Sequence, residues 1–134
     1  MPIRAVFRRV RLPLVGMIAA GPPFESDPWA EESCYVRLPR GARARDYFVV
    51  RAHGESLIEV GIHHGDYVVC KRGHEARAGE LAAVLTPDGV TLKHVFYERS
   101  IVKLVPGNRA YKTLRYHAGD LLVQGVVVSV ERNP

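Results

Sequence analysis

Long apolar runs are missing from this chain. No stretch of about 18 hydrophobic residues occurs, so no segment reads as a membrane-spanning helix. Cysteine is scarce as well. Cys34 and Cys70 are the two present, in neither a CxxC nor a zinc-ligand spacing. A disulfide scaffold is thereby excluded; two buried reduced thiols in a cytoplasmic protein are expected, with one disulfide as the alternative. His53, His63, His64 and His74 form no tight metal motif, so they read as solvated side chains, and neither metal nor other cofactor is expected. Internal repeats and low-complexity tracts are absent. Acidic residues are absent from the first 20 positions, where Arg4, Arg8, Arg9 and Arg11 stand unopposed.

What is present bounds the class. With 134 residues, 47% hydrophobic and 25% charged, the chain has the makings of one globular domain with a modest core. A net charge of +5 invites a nucleic-acid reading. The first four arginines supply most of that excess, leaving the remainder near neutral. A second basic run, Arg37, Arg40, Arg43, Arg45 and Arg51, is offset by Glu25, Asp27, Glu31 and Glu32 just before it. Both runs read as solvated, salt-screened loop, and no sequence-specific DNA binding is expected. The N-terminus imitates a secretory signal, but Pro13 and Gly16 interrupt its apolar run and Ile18 occupies a position where a small residue is needed.

Residues 1–33 read as an irregular, proline-punctuated arm, in which Met1 to Arg11 can form one short strand and Leu12 to Met17 can dock. Residues 34–134 read as a β-rich domain. Strand runs are predicted at Tyr47–Ala52, Tyr67–Lys71, Glu80–Leu85, Gly89–Val95, Ser100–Val105 and Leu121–Val130. The Asp88-Gly89 turn marks a hairpin. One helical turn is expected over Ser56–Val60, ended by Gly61 as a left-handed cap. The predicted fold class is mainly β: a compact antiparallel β-sandwich or partly closed barrel.

Two residues carry the chemistry. Ser56 lies in Gly54-Glu55-Ser56-Leu57 and Lys93 in Val90-Thr91-Leu92-Lys93, 37 residues on. A serine hydroxyl needs a base within hydrogen-bond reach, and no Asp–His–Ser constellation is recognisable here. A lysine can serve if neutral. At an ordinary pKa of ~10.4, losing its proton at pH 7 costs about 4.6 kcal/mol, which burial can supply. Thr91 shares the strand face of Lys93 and can orient the amine. The Ser56 and Glu55 backbone N–H groups at a helix start are the candidate oxyanion hole. The bland alternatives are a Ser that caps a helix and a Lys that snorkels from a strand.

In order along the chain, Leu14-Val15-Gly16-Met17-Ile18-Ala19-Ala20-Gly21, Gly54-Glu55-Ser56-Leu57 with Gly65-Asp66-Tyr67-Val68-Val69, Asp88-Gly89-Val90-Thr91-Leu92-Lys93, and Leu104-Val105-Pro106-Gly107-Asn108 resemble the blocks of the LexA/UmuD family of self-cleaving serine–lysine peptidases. The resemblance runs from about residue 12 to residue 130. It implies the fold of the LexA C-terminal domain, catalysis by Ser56 and Lys93, and a cleavage site between Ala20 and Gly21. It further implies a homodimer, activation by a recombinase filament on single-stranded DNA, and a role in the SOS response to DNA damage. Leu57 stands where the family usually has Met, and His94 where Arg is commoner. Too few residues precede Leu12 for a helix-turn-helix module, so the short-armed UmuD-like branch is expected, with a translesion DNA polymerase as partner. The alternatives are a repressor core without its DNA-binding domain, a non-catalytic polymerase- or recombinase-binding module on the same scaffold, and a relative of the signal peptidases. Leu121–Val130 is the candidate dimer strand, or simply core.

Overall fold

Alternation of apolar and polar side chains builds the outermost strands. In the computed structural model, which describes residues 6–15 and 32–132, β1 spans Phe7–Val15 and β2 spans Ser33–Pro39. Cys34, Val36 and Leu38 of β2 point inward, Tyr35 and Arg37 outward. β1 answers with Val10 and Leu12 inward and Arg9 and Arg11 outward. The pair runs antiparallel, with Val10 opposite Val36 and Leu12 opposite Cys34.

Seven strands follow: β3 (Tyr47–Arg51), β4 (Tyr67–Arg72), β5 (Leu81–Thr86), β6 (Gly89–Glu98), β7 (Ile101–Val105), β8 (Leu114–His117) and β9 (Leu122–Glu131). They form one nine-stranded sheet in the order β2-β1-β3-β4-β9-β5-β6-β7-β8, left open rather than closed into a barrel. The mainly β expectation holds, with one amendment: the sheet is mixed. After two reversals β3 runs in the direction of β1 and joins its free side in parallel, through Leu14–Val49 and Val15–Val50. Among the described residues the helical segments are three 3₁₀ turns, Ala44–Asp46, Ile58–Val60 and Ala118–Asp120. Among the described residues no helix is long and apolar enough to cross a membrane.

Part of the expected arm is regular structure. Phe7–Val15 is a single strand running through Pro13, with Val10 and Leu12 in the core. At Pro13 the strand has β2 as its one partner, because β3 joins only from Leu14, so one edge tolerates a residue with no N–H. The arginine runs are likewise on strands in part: Arg9 and Arg11 on β1, Arg37 on β2 and Arg51 on β3.

Three apolar clusters form the interior. The one that concerns the site joins Phe48, Val50, Leu57, Val68, Cys70, Ala83 and Leu92. A second joins the inner faces of β1 and β2 to Val49 and Val69. The third lies between β5, β6 and β7, around Ala82, Val84, Val95 and Leu104. Cys34 and Cys70 are free and buried, in different clusters, and burial pushes the Cys70 thiol up to about 12.

β9 threads the middle of the sheet and its register slips twice. Against β4 the pairing skips Val128, and against β5 it skips Gln124. Gly125 lies between these irregularities at a point of close approach: an added Cβ would stand 2.6 Å from the Lys71 carbonyl oxygen and 2.7 Å from Phe48 Cε1. Neither neighbour is a flexible chain end. Gly125→Ala is therefore expected to lower stability by about 1–3 kcal/mol through overpacking. Thermal or urea denaturation checks this, and an unchanged midpoint would remove the steric account.

Candidate active site

Ser56 and Lys93 arrive from separate elements, each fixed by an adjacent core residue. Leu57, next to Ser56, is 2% exposed, and Leu92, next to Lys93, is fully buried in the same cluster. Alternation along β6 sends Leu92 to that core and turns Lys93 to the face of Thr91. Lys93 lies opposite Ala82 of β5, so it rests on an interior strand pair rather than at an edge. The Ser56 loop follows β3, with Gly54 in the left-handed region at φ +79°.

The side chains meet. Lys93 Nζ lies 2.8 Å from Thr91 Oγ1 and 3.4 Å from Ser56 Oγ. Lys93 is only 8% exposed, and its desolvation holds the amine below the ordinary lysine range. The snorkelling alternative does not describe this side chain. The capping alternative fails too: Leu57, not Ser56, precedes the helical turn, which spans Ile58–Val60 and ends at Gly61 with φ +83°. The expected helix thus starts two residues late and is a three-residue 3₁₀ turn. That is too short for a macrodipole to act on the hydroxyl. The positive field at Ser56 has to come from individual N–H groups.

The Ser56 N–H is oriented by contacts that the sequence did not reveal. The Glu55 carbonyl accepts from Asn108 Nδ2 at 2.9 Å and from the Ile58 N–H at 3.2 Å. Because a trans peptide is planar, pinning that carbonyl turns the Ser56 N–H the opposite way. Among the described residues neither the Ser56 nor the Glu55 N–H donates to another group. Gly54 donates its N–H to His64 Nδ1 at 2.9 Å, securing the entry to the loop. Gly107 lies directly against the same turn: its carbonyl accepts from the Glu59 N–H at 2.8 Å, and an added Cβ would stand 3.3 Å from Leu57 Cα. The Pro106-Gly107-Asn108 segment, a turn in the sequence, is here a clamp on the serine loop.

The pair opens into a groove of about 330 Å³ lined by Ser56, Thr91, Lys93, Tyr111, Leu114 and Tyr116, among others. Ala20 and Gly21 lie outside the described residues. Among the described residues no three His, Cys, Asp or Glu side chains converge as metal ligands.

Comparison with known proteins identifies the family. The family profile described as Peptidase S24-like matches residues 13–128. The LexA repressor of Alcanivorax borkumensis is 32% identical over 92% of this chain and 60% of its own length. The LexA repressor of Koribacter versatilis is 35% identical over 98% of this chain and 62% of its own. For that of Zymomonas mobilis the identity is 34%, over 92% of this chain and 56% of its own. The chain thus spans about three-fifths of the length of these curated relatives.

Burying an amine costs stability that an apolar side chain would not forfeit. The folded state holds the Lys93 proton less tightly than the unfolded chain does, so stability rises with pH from the depressed folded value up to the ordinary lysine value. Lys93→Met should raise the melting temperature at neutral pH by a few degrees. The gain should shrink as pH climbs toward ~10. Melting curves across that range test it, and a gain independent of pH would count against a desolvated amine.

Proposed function

This chain belongs to the Peptidase S24-like family, and from that membership we propose that it is a self-cleaving serine endopeptidase that cuts its own chain between Ala20 and Gly21. The observation that carries the reading is the desolvated Lys93 amine 3.4 Å from Ser56 Oγ. Neutral Lys93 takes the Ser56 proton as Oγ attacks the Ala20 carbonyl. Thr91 holds the amine in line. The Ser56 and Glu55 N–H groups face the oxygen on which negative charge develops. Collapse of the tetrahedral intermediate breaks the bond to the Gly21 nitrogen, which takes the proton from Lys93. Water, deprotonated by Lys93, then hydrolyses the Ala20 ester and returns Ser56.

The biological setting proposed is the SOS response. A recombinase filament on single-stranded DNA would favour the conformation in which the cleavage segment enters the groove, a population shift rather than a change in chemistry. In the UmuD-like reading residues 1–33 form the cleavable arm, residues 34–134 the peptidase body, and the processed product partners a translesion DNA polymerase. A second reading is favoured by the relatives, which are named repressors: a regulator's cleavable core.

A homodimer fits β9. Among the described residues this strand pairs from Val127 onward with β4 alone, its pairing with β5 having ended at Val126, and at its end the Glu131 carboxylate accepts from the Arg37 backbone N–H of β2. Val128 and Val130 are 50% and 38% exposed there. A free strand flank with exposed valines suits antiparallel pairing with a second copy across a two-fold axis.

Two experiments test these readings. Incubation at rising pH should yield a fragment beginning at Gly21, with a rate that increases tenfold per pH unit until Lys93 is deprotonated and then levels. Ser56→Ala and Lys93→Ala should abolish the cut, and Thr91→Val should slow it about 10–100-fold. Parent-like cutting by either of the first two would overturn the mechanism. For the dimer, Val128→Arg should shift sedimentation from dimer to monomer without changing the melting of the uncut chain, whereas an unchanged dimer would place the interface elsewhere.

A further inference from the structure

The outer face of the β1–β2 pair carries a feature that peptide cleavage does not use. Arg9 stands opposite Arg37, and Arg11 opposite Tyr35. All four face away from the Val10, Leu12, Val36 and Leu38 core. Tyr35 is 59% exposed, with the Arg9 guanidinium 5.9 Å from its ring centre. Where this face meets the ends of β4 and β9, a groove of about 380 Å³ is lined by Arg9, Tyr35, Arg37, Tyr67, Glu131 and Arg132. A second guanidinium, that of Arg51, lies 5.9 Å from the Tyr67 ring centre.

Charge remains after internal pairing. Arg37 approaches Glu131 at 4.0 Å and Arg132 reaches the buried Asp66 at 3.3 Å. Both guanidiniums stay mostly in solvent, their side chains 71% and 66% exposed. Among the described residues Arg9 and Arg51 have no carboxylate within ion-pair distance. From residue 6 to residue 52 the sequence holds eight arginines, no lysine and five carboxylates, Glu25, Asp27, Glu31, Glu32 and Asp46. Arginine is the cation that binds phosphate through two parallel bonds and stacks on flat rings.

We propose that this groove binds a single-stranded polynucleotide, its guanidiniums taking the phosphates and Tyr35 offering a ring on which an unpaired base stacks. An acidic peptide would satisfy the charge but has no use for the exposed ring. Duplex bases present no free face to it. The groove contains neither Ser56 nor Lys93, so the inference stands apart from the cleavage chemistry.

Fluorescence anisotropy of a labelled oligothymidylate, titrated with the uncut full chain carrying Ser56→Ala, tests it. Binding should weaken with salt, the logarithmic slope being about −2 if three phosphates are engaged. Arg9→Gln should reduce that slope by about 0.7. Tyr35→Ala should weaken binding about fivefold or more with little change in slope. Both side chains are exposed, and unchanged melting curves establish that the variants fold. Two further results would support the proposal: weaker binding to the matching duplex, and failure of polyglutamate to displace the probe at equal charge. No binding at low salt would overturn it, as would Tyr35→Ala leaving affinity unchanged, or polyglutamate competing equally.

Discussion

A lysine amine kept out of water beside a hydroxyl is the constraint on which the molecule turns. In water that amine stays protonated, and a protonated amine cannot accept from serine. The protein supplies the missing free energy by placing Lys93 on an interior strand at 8% exposure and giving its tip two hydroxyl neighbours, Thr91 and Ser56. Among the described residues no carboxylate hydrogen-bonds this amine, although Glu55 and Asp88 line the same groove. A carboxylate there would favour the charged amine and undo the effect of burial. Histidine-based sites need an acid to orient the base, whereas a neutral lysine needs the acid kept away.

Such an amine is useful only if the hydroxyl cannot drift. The fold meets this by making one apolar cluster responsible for both partners. Leu57 and Leu92 are immediate neighbours of Ser56 and Lys93 and both belong to that cluster. A shift of the serine loop would open a cavity beside Leu57, and cavities cost about 2–5 kcal/mol for a leucine-sized loss of contact. The loop is further tied by Asn108 and by His64, through one carbonyl and one N–H on either side of the Gly54–Glu55 segment. Core packing sets the position of the nucleophile, and the tie from Asn108 to the Glu55 carbonyl sets the direction of its N–H.

The difference between these two kinds of constraint explains what could be read from the sequence. Strands β3 to β7 and β9 announce themselves as β-branched runs bounded by Gly and Asp turns. The Asp88-Gly89 hairpin sets the β5–β6 register, and that register with strand alternation puts Thr91 and Lys93 on one face. β2 was less visible: its alternation at Ser33–Pro39 is short and lies within a block of charge. β8, at Leu114–His117, is four residues with little burial, and local pattern does not specify it. The start of the helical turn differs from expectation because a Ser two residues after Gly54 resembles a cap, whereas tertiary contact with Lys93 claims the hydroxyl. Asn108 acts on Glu55 across 53 residues through a backbone carbonyl. Such a contact leaves no periodicity, and Pro106-Gly107-Asn108 reads locally as any turn would.

β1 adds a consequence for the proposed cut. This strand precedes the Ala20–Gly21 bond, yet Val10 and Leu12 are 6% and 1% exposed in the cluster shared with Val36, Leu38, Val49 and Val69. Breaking one peptide bond between Val15 and Ser33 removes none of the β1–β2 hydrogen bonds and none of that burial. Two apolar side chains of this size hold on the order of 3–6 kcal/mol. The strand would therefore remain seated after cleavage until something competed for its place. Release of the N-terminal piece would then be a separate event from cutting. The same strand carries Arg9 and Arg11, so loss of β1 would uncover the apolar face of β2 and remove part of the basic surface together. One covalent event could in this way change both what the sheet exposes and what its outer face attracts, with strand dissociation as the step that a partner can control.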